Sequence, residues 1–284
     1  METEGLFAFL AGRSVRESGP MGTPAIQRIA RYRVDDETHH GRRVPGGYAR
    51  LTRAPWLGGR ETGTIDPSER VSLLPPVVPT KIVCVGLNYR AHLAESVTAV
   101  PGAKPPEEPL LFLKPNTAVI GPGDAIVLPR QSHEVHFEGE LAVVIGKLCR
   151  DVPAERALDV IFAYTVGNDV TARDLQRTDD QWARAKGFDT FCPLGPWLET
   201  DIDPADLTLR TVVNGEVKQD VRTSKLIFDI PTLVAYISAA FTLLPGDVIL
   251  TGTPAGVGQI VAGDRVEVTV EGIGTLDNRV VSRD

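Results

Sequence analysis

The stretch His136-Phe137-Glu138-Gly139-Glu140-Leu141-Ala142-Val143-Val144-Ile145-Gly146 restricts the possible fold of this chain more than any other. Residues 141–145 read as a strand, and side chains alternate along a strand, so Glu138 and Glu140 project from one face. Two carboxylates leading into an apolar segment are expensive if the fold buries them unpaired. Two readings follow. One is a solvated strand face, the usual setting for Glu. The other is a cation site. Asp169, in Gly167-Asn168-Asp169-Val170-Thr171-Ala172-Arg173-Asp174, closes a second apolar strand (163–168) with polar groups and is a third candidate. Three carboxylates with no partnering Cys or His describe a hard-cation site, Mg²⁺ or Mn²⁺ before Zn²⁺. Nearby, His133-Glu134-Val135-His136 is one residue short of His-Glu-x-x-His. On a strand an i, i+3 pair points to opposite faces, so zinc is rejected there.

Composition narrows the function classes. A net charge of -7 argues against nucleic acid, which calls for a basic face, and against polybasic attraction to anionic lipid. The longest nearly apolar run, 233–244, is too short to span a bilayer. The apolar segment 6–11 follows Glu2 and Glu4 where a signal peptide would carry positive charge, so no export signal is read. The 3 cysteines, Cys84, Cys149 and Cys192, are widely spaced and read as reduced thiols of a cytoplasmic protein.

Residues 1–24 are expected to be a disordered leader, with Met21 a candidate true start. Residues 25–74 read as a small β-rich N-terminal domain, with strands at 28–34 and 46–51. The proline-rich segment 71–79 is a rigid extended connector. The main domain, 80–284, opens with a strand at 81–85, a helix around 90–96 and a loop rich in Pro, Glu and Lys over 101–109. Further strands are expected at 110–113, 125–128, 247–250 and 265–270. Helices are expected from 153 onward and at 230–240, where Asp229 precedes Pro231 as a possible N-cap. Helices do not alternate regularly with strands, so the fold class is α+β with a mixed sheet, not a doubly wound one.

Three further stretches carry chemistry. If residues 90–95 are helical, His92 and Glu95 share a face, and the carboxylate orients an imidazole suited to act as a general base on water. A surface His–Glu pair is the alternative. The loop that follows would let this piece move as a lid. Lys186, in an aromatic-lined stretch, is either a solvated helix-end cation or a charge for a carboxylate or developing enolate. Thr251-Gly252-Thr253-Pro254-Ala255-Gly256-Val257-Gly258 permits close backbone approach to a ligand, yet matches neither a Walker A nor a dinucleotide loop.

Together these stretches resemble the fumarylacetoacetate hydrolase superfamily, from Lys81 to Val281. The resemblance rests on five ordered motifs: 81–92, Phe112-Leu113-Lys114-Pro115, Glu138-x-Glu140, 168–174, and Gly246-Asp247-Val248-Ile249-Leu250-Thr251-Gly252-Thr253-Pro254. It implies a mixed β-roll catalytic domain, usually a homodimer, with one Mg²⁺ or Mn²⁺ per site. It makes Glu138, Glu140 and Asp169 metal ligands, and His92 and Glu95 the lid dyad that polarises water. Lys186 becomes a catalytic cation; Gln176, Thr253 and Lys114 become substrate-contacting. The longer branch of the superfamily has an extra Asp ligand upstream of the catalytic His, and 84–89 has none. That favours the shorter branch of acylpyruvate hydrolases, oxaloacetate decarboxylases and dienedioate isomerases.

The expected function is metal-dependent hydrolysis of a C–C bond in an acylpyruvate-like diketo acid. Oxaloacetate decarboxylation and isomerisation of 2-hydroxy-dienoate diacids are the alternatives. A catalytically silent oxo-acid binder would lack a ligand or the dyad, and this chain lacks neither.

Overall fold

The computed structural model describes residues 27–95 and 105–283, without the side chains of residues 94 and 95. The expected leader and the beginning of the 101–109 loop lie outside the described residues. Strands β1 (Arg28–Val34), β2 (Glu37–Val44), β3 (Gly47–Leu51), β4 (Glu61–Pro67) and β5 (Ser72–Leu74) come first. Next are β6 (Ile82–Gly86), helix α1 (Arg90–Glu95), β7 (Leu110–Lys114), β8 (Val119–Ile120), β9 (Ile126–Leu128) and β10 (Val135–Phe137). The middle of the chain forms β11 (Gly139–Ile145), β12 (Ile161–Asn168), β13 (Thr171–Ala172), α2 (Arg173–Thr178), α3 (Ala183–Gly187) and β14 (Cys192–Glu199). Then follow β15 (Thr208–Val213), β16 (Glu216–Arg222), α4 (Ile230–Ala240), β17 (Val248–Leu250), β18 (Gly258–Gln259), β19 (Arg265–Val270) and β20 (Gly274–Ser282).

The largest sheet runs β4-β3-β2-β1-β14-β12-β11-β17-β6-β7. A second runs β16-β15-β19-β20-β9, and a short third is β13-β10-β18. Pairings β6–β17, β8–β14 and β9–β20 are parallel, amid antiparallel neighbours. The fold is the mixed α+β arrangement anticipated, with a β-rich N-terminal unit. That unit extends the large sheet: β1 pairs with β14 at Arg28↔Glu199 and Ile29↔Leu198. It has its own apolar centre of Ala30, Tyr32, Val34 and Tyr48. The Tyr32 hydroxyl donates to the buried Asp66 carboxylate at 2.6 Å, and Arg50 forks onto the same carboxylate.

Burial follows the residue pattern of each strand. Every residue of β11 is buried, as expected for a near-continuous apolar strand covered on both faces. In β19 the apolar residues alternate inward, as in a strand with one wet face. Asp229 caps α4 by accepting from the Thr232 amide at 2.9 Å, with a proline in the first turn. Ile230, Leu233, Val234 and Ile237 recur on one helix face and are buried. The helix expected from 153 onward is instead a 3₁₀ segment, Ala154–Val160, preceded by Pro153, which offers no side-chain cap. No helix among the described residues is long and apolar enough to cross a membrane.

The topology brings several strand ends to one place. The parallel strands β6 and β17 both point their carboxyl ends at it, leading to α1 and to the Thr251–Gly258 loop. The antiparallel β11 starts there, and β12 ends there at Asn168. The buried Asp247 ties the far end of this arrangement by accepting from Thr80 and Lys81.

Candidate metal and substrate site

Glu138 occupies the break between β10 and β11, and Glu140 lies two residues on, in β11. Backbone bonds lock them to the next strand. The Asn168 side chain accepts from the Glu138 amide at 2.9 Å, and the Asp169 amide donates to the Glu138 carbonyl at 2.8 Å. One carboxylate oxygen each of Glu138, Glu140 and Asp169 lie within 4.8 Å of one another, and all three residues are buried. The solvated-face reading of the glutamates is therefore ruled out by burial of 4% and 2% exposure. A hard divalent cation fits this all-oxygen donor set.

Gly139 between them is required by the sheet behind. A Cβ there would sit 2.2 Å from Thr211 Oγ1 and 2.9 Å from Val268 Cγ1. Gly139→Ala is expected to cost about 1–3 kcal/mol through overpacking and to disturb both flanking carboxylates. Urea denaturation with a parallel Mn²⁺ titration measures both effects; unchanged stability would show that the second sheet gives way.

Three cations surround the three carboxylates. Lys186 Nζ donates to Glu138 at 2.8 Å and to Asp169 at 2.6 Å. Arg173 pairs with the other oxygen of Glu138 and donates to the Gln176 side chain at 2.5 Å. Lys114 Nζ stands 2.7 Å from Asp169 Oδ1. Burial pushes the Glu138 carboxyl up, but Lys186 and Arg173 outweigh it and hold it well below the usual range. Glu140 has no ion pair among the described residues; it accepts from the Gly252 amide at 2.7 Å. Burial, then the charges of Asp169 and Glu138, push it well above the usual range. Burial pulls Lys186 down, but Asp169 and Glu138 raise it on balance, so it stays an ammonium.

The carboxylates open onto a cavity of about 30 Å³, room for a water or an ion. Its polar wall includes His92, Arg173, Gln176, Lys186 and Thr253; Val85, Leu87, Phe112 and Trp182 form the apolar wall. His92 is 7% exposed and faces the cavity from α1. The Glu95 side chain, its expected partner, lies outside the described residues. Two side chains assigned to substrate are committed elsewhere. Lys114 is absent from the cavity wall: its Nζ donates to the carbonyls of Val170, Lys186 and Phe191 and meets Asp169 from behind. All its donor directions are taken, so it positions Asp169. The Thr253 hydroxyl lines the cavity but donates to the Gly139 carbonyl and accepts from Gln219, each at 2.9 Å. Its proton is unavailable to a ligand.

Sequence reasoning gave no role to Arg173, although it lies in the same motif as Asp169, and passed over Asn88 and Gln219. The Asn88 side chain joins the root of α1 to the carbonyls of Phe228 and Thr251. The three cysteines are free. Burial pushes the Cys192 thiol up to about 12 and Cys84 well above its ordinary value, so these two are inert core thiols.

Residues 81–281 match the family model described as Fumarylacetoacetate (FAA) hydrolase C-terminal. The chain belongs to the fumarylacetoacetate hydrolase family. Residues 27–76 match a second model, Rv2993c-like, N-terminal. Protein Rv2993c of Mycobacterium tuberculosis is 60% identical over 225 residues, covering 78% of this chain and 83% of that protein. The mitochondrial oxaloacetate tautomerase Fahd2a of Rattus norvegicus is 42% identical over 227 residues, covering 76% and 71%. Among solved structures, 2-hydroxyhepta-2,4-diene-1,7-dioate isomerase from Mycobacterium marinum is 50% identical with a TM-score of 0.83, covering 90% of this chain and 99% of that one. Maleylpyruvate hydrolase from Sphingobium sp. SYK-6, in complex with manganese(II) and pyruvate, is 33% identical with a TM-score of 0.73, covering 90% and 100%. The oxaloacetate tautomerase and the dienedioate isomerase are members of the family's shorter branch, and the relatives together include a hydrolase, an isomerase and a tautomerase.

Proposed function

We propose that this protein is a divalent-metal-dependent hydrolase that cleaves a C–C bond in an acylpyruvate-like 2,4-dioxo acid. The observation that carries this reading is the buried cluster of three carboxylates and three cations beside a cavity-facing histidine. Glu138, Glu140 and Asp169 would hold Mg²⁺ or Mn²⁺. Such an ion supplies Lewis acidity toward the oxo-acid head. With all three carboxylates ionised around a divalent ion, the three cations offset them and the centre carries an excess of two positive charges. That excess matches the two negative charges of a 2-oxo acid enolate.

This chain's own side chains supply the remaining steps. His92 takes a proton from a water, whose oxygen attacks the carbonyl carbon distal to the carboxylate. The C–C bond then breaks, its electron pair stays on the pyruvyl fragment as an enolate, and the acyl group leaves as a carboxylic acid. Lys186 uses two of its three N–H bonds on Glu138 and Asp169; the third has no acceptor among the described residues. It is the donor for the enolate oxygen. Arg173 adds permanent charge and holds Gln176 toward the same space. Protonation of the enolate carbon completes pyruvate.

The second reading is keto–enol tautomerisation or dienol isomerisation, in which His92 moves a proton without attack by water. The 42% identity to a rat oxaloacetate tautomerase favours it. The test is His92→Ala with Mn²⁺ present, assayed in parallel for acylpyruvate hydrolysis and oxaloacetate tautomerisation. Hydrolysis is expected to fall by about 10²–10⁴-fold, while the Mn²⁺-induced rise in Tm persists. Undiminished hydrolysis would refute the role of His92. Wild-type protein that turns over only oxaloacetate would establish the second reading. The reduced thiols suit a cytoplasmic enzyme, and a homodimer is the expected assembly, checked by light scattering.

A further inference from the structure

Beyond the polar cavity lies an open groove of about 300 Å³ beside β7, the edge strand of the large sheet. Phe112 and Trp182 line both hollows. Their rings meet edge to face, 5.5 Å apart at 75°, and form a wall common to both. Leu111, Leu113 and Phe241 supply the other apolar surfaces of the groove; Gln181, just before α3, and Ala183, its first residue, complete it from exposed positions. We propose that this groove receives the distal end of the substrate, and that this end is apolar and uncharged, an alkyl or aryl acyl group. The inference rests on the reading of the inner cavity as the oxo-acid site.

Three observations support it. First, Phe112 and Trp182 belong to the linings of both hollows, so a chain leaving the oxo-acid head along these rings enters the groove. Second, polarity is segregated. The cations Lys186 and Arg173 face the inner cavity, and Lys186 Nζ sits 5.0 Å above the Phe112 ring, marking where the charged wall ends. None of the described residues lining the groove is Lys, Arg or His. The neighbouring Arg184 is forked onto Asp179 at 2.5 and 2.9 Å. A second carboxylate on the substrate tail would lose hydration there and find no counterion. Third, Gly86 leaves room for this wall: a Cβ there would lie 3.2 Å from the Trp182 ring and 3.3 Å from Leu110. The groove thereby separates apolar acylpyruvates from dienedioate diacids, which share the same head.

The experiment is a kcat/KM series with Mn²⁺ on acylpyruvates lengthened one methylene at a time, beside a diacid of matched length. Wild type, Trp182→Ala and Ala183→Lys are compared. In wild type kcat/KM is expected to rise about threefold to fourfold per methylene, with the diacid disfavoured. Trp182→Ala should flatten that rise. Ala183→Lys, at an exposed position, should shift preference toward the diacid. A flat series or a preferred diacid in wild type would overturn the proposal. Pyruvate, a head without a tail, separates the two layers of the argument through its effect on Tm with Mn²⁺. Stabilisation by pyruvate with a flat series removes the groove alone; no response to pyruvate removes the head site as well. Light scattering on Leu113→Arg tests the competing occupant: loss of a dimer with an unchanged tail series would make the groove an interface between copies and overturn the proposal.

Discussion

Lys186→Met is expected to destabilise the metal-free protein by about 3–5 kcal/mol and to abolish turnover. Lys186 is 3% exposed and joins Glu138 to Asp169. Methionine keeps most of the volume but leaves two buried carboxylates short of a counter-charge, and in a poorly solvated interior such a deficit is not screened. Arg173 and Lys114 still pair the opposite oxygens, which keeps the loss within that range. Urea denaturation in chelator measures the cost. Adding Mn²⁺ should restore a large part of the stability, because a bound cation supplies charge to the same oxygens and favours the folded state. Restored folding without restored activity would separate the enolate-donor role of Lys186 from its structural one. A variant as stable as wild type in chelator would show that the cluster is not held by this ammonium.

Glu140→Gln should do the reverse to the metal-free protein. Glu140 has no ion pair among the described residues, and burial beside Asp169 and Glu138 disfavours its charge. The amide keeps the shape and can still accept from Gly252. Metal-free stability is therefore expected to hold or rise, while Mn²⁺ affinity falls by more than about 100-fold, beyond the loss typical of a residue that merely supports a ligand. Titration of Mn²⁺ against Tm, with urea curves in chelator, checks both signs. Retained Mn²⁺ affinity would remove Glu140 from the ligand set. The two substitutions thus push metal-free stability in opposite directions, which a general loss of packing would not do.

Much of this centre was legible before the fold was known, because its three carboxylates are placed by local periodicity. The two-residue spacing of Glu138 and Glu140 puts both on one strand face, and Asn168-Asp169 closes a strand of the same kind. Strands β1 and β6 and helix α4 were likewise marked by apolar alternation, proline and a capping Asp. Where local signals were weak the reading missed: 154–160 coils as 3₁₀, and β15 and β16 went unmarked. Lys114 shows the limit of motif-based assignment. Its motif placed it near the substrate, but its ammonium is consumed by three carbonyls and Asp169, which only their positions in space could reveal.

The amino-acid sequence by itself determined the three carboxylates, the hard-cation chemistry they suit and the family to which the chain belongs. The tertiary structure decided that the carboxylates are buried and that Lys114, Arg173 and Lys186 pair with Glu138 and Asp169. It also decided that the charged wall stops at Phe112 and Trp182. Lys186 and Glu138 lie 48 residues apart in the chain and 2.8 Å apart in the fold. Charge compensation depends on that second distance and on the exclusion of water, and neither is a property of spacing along the chain.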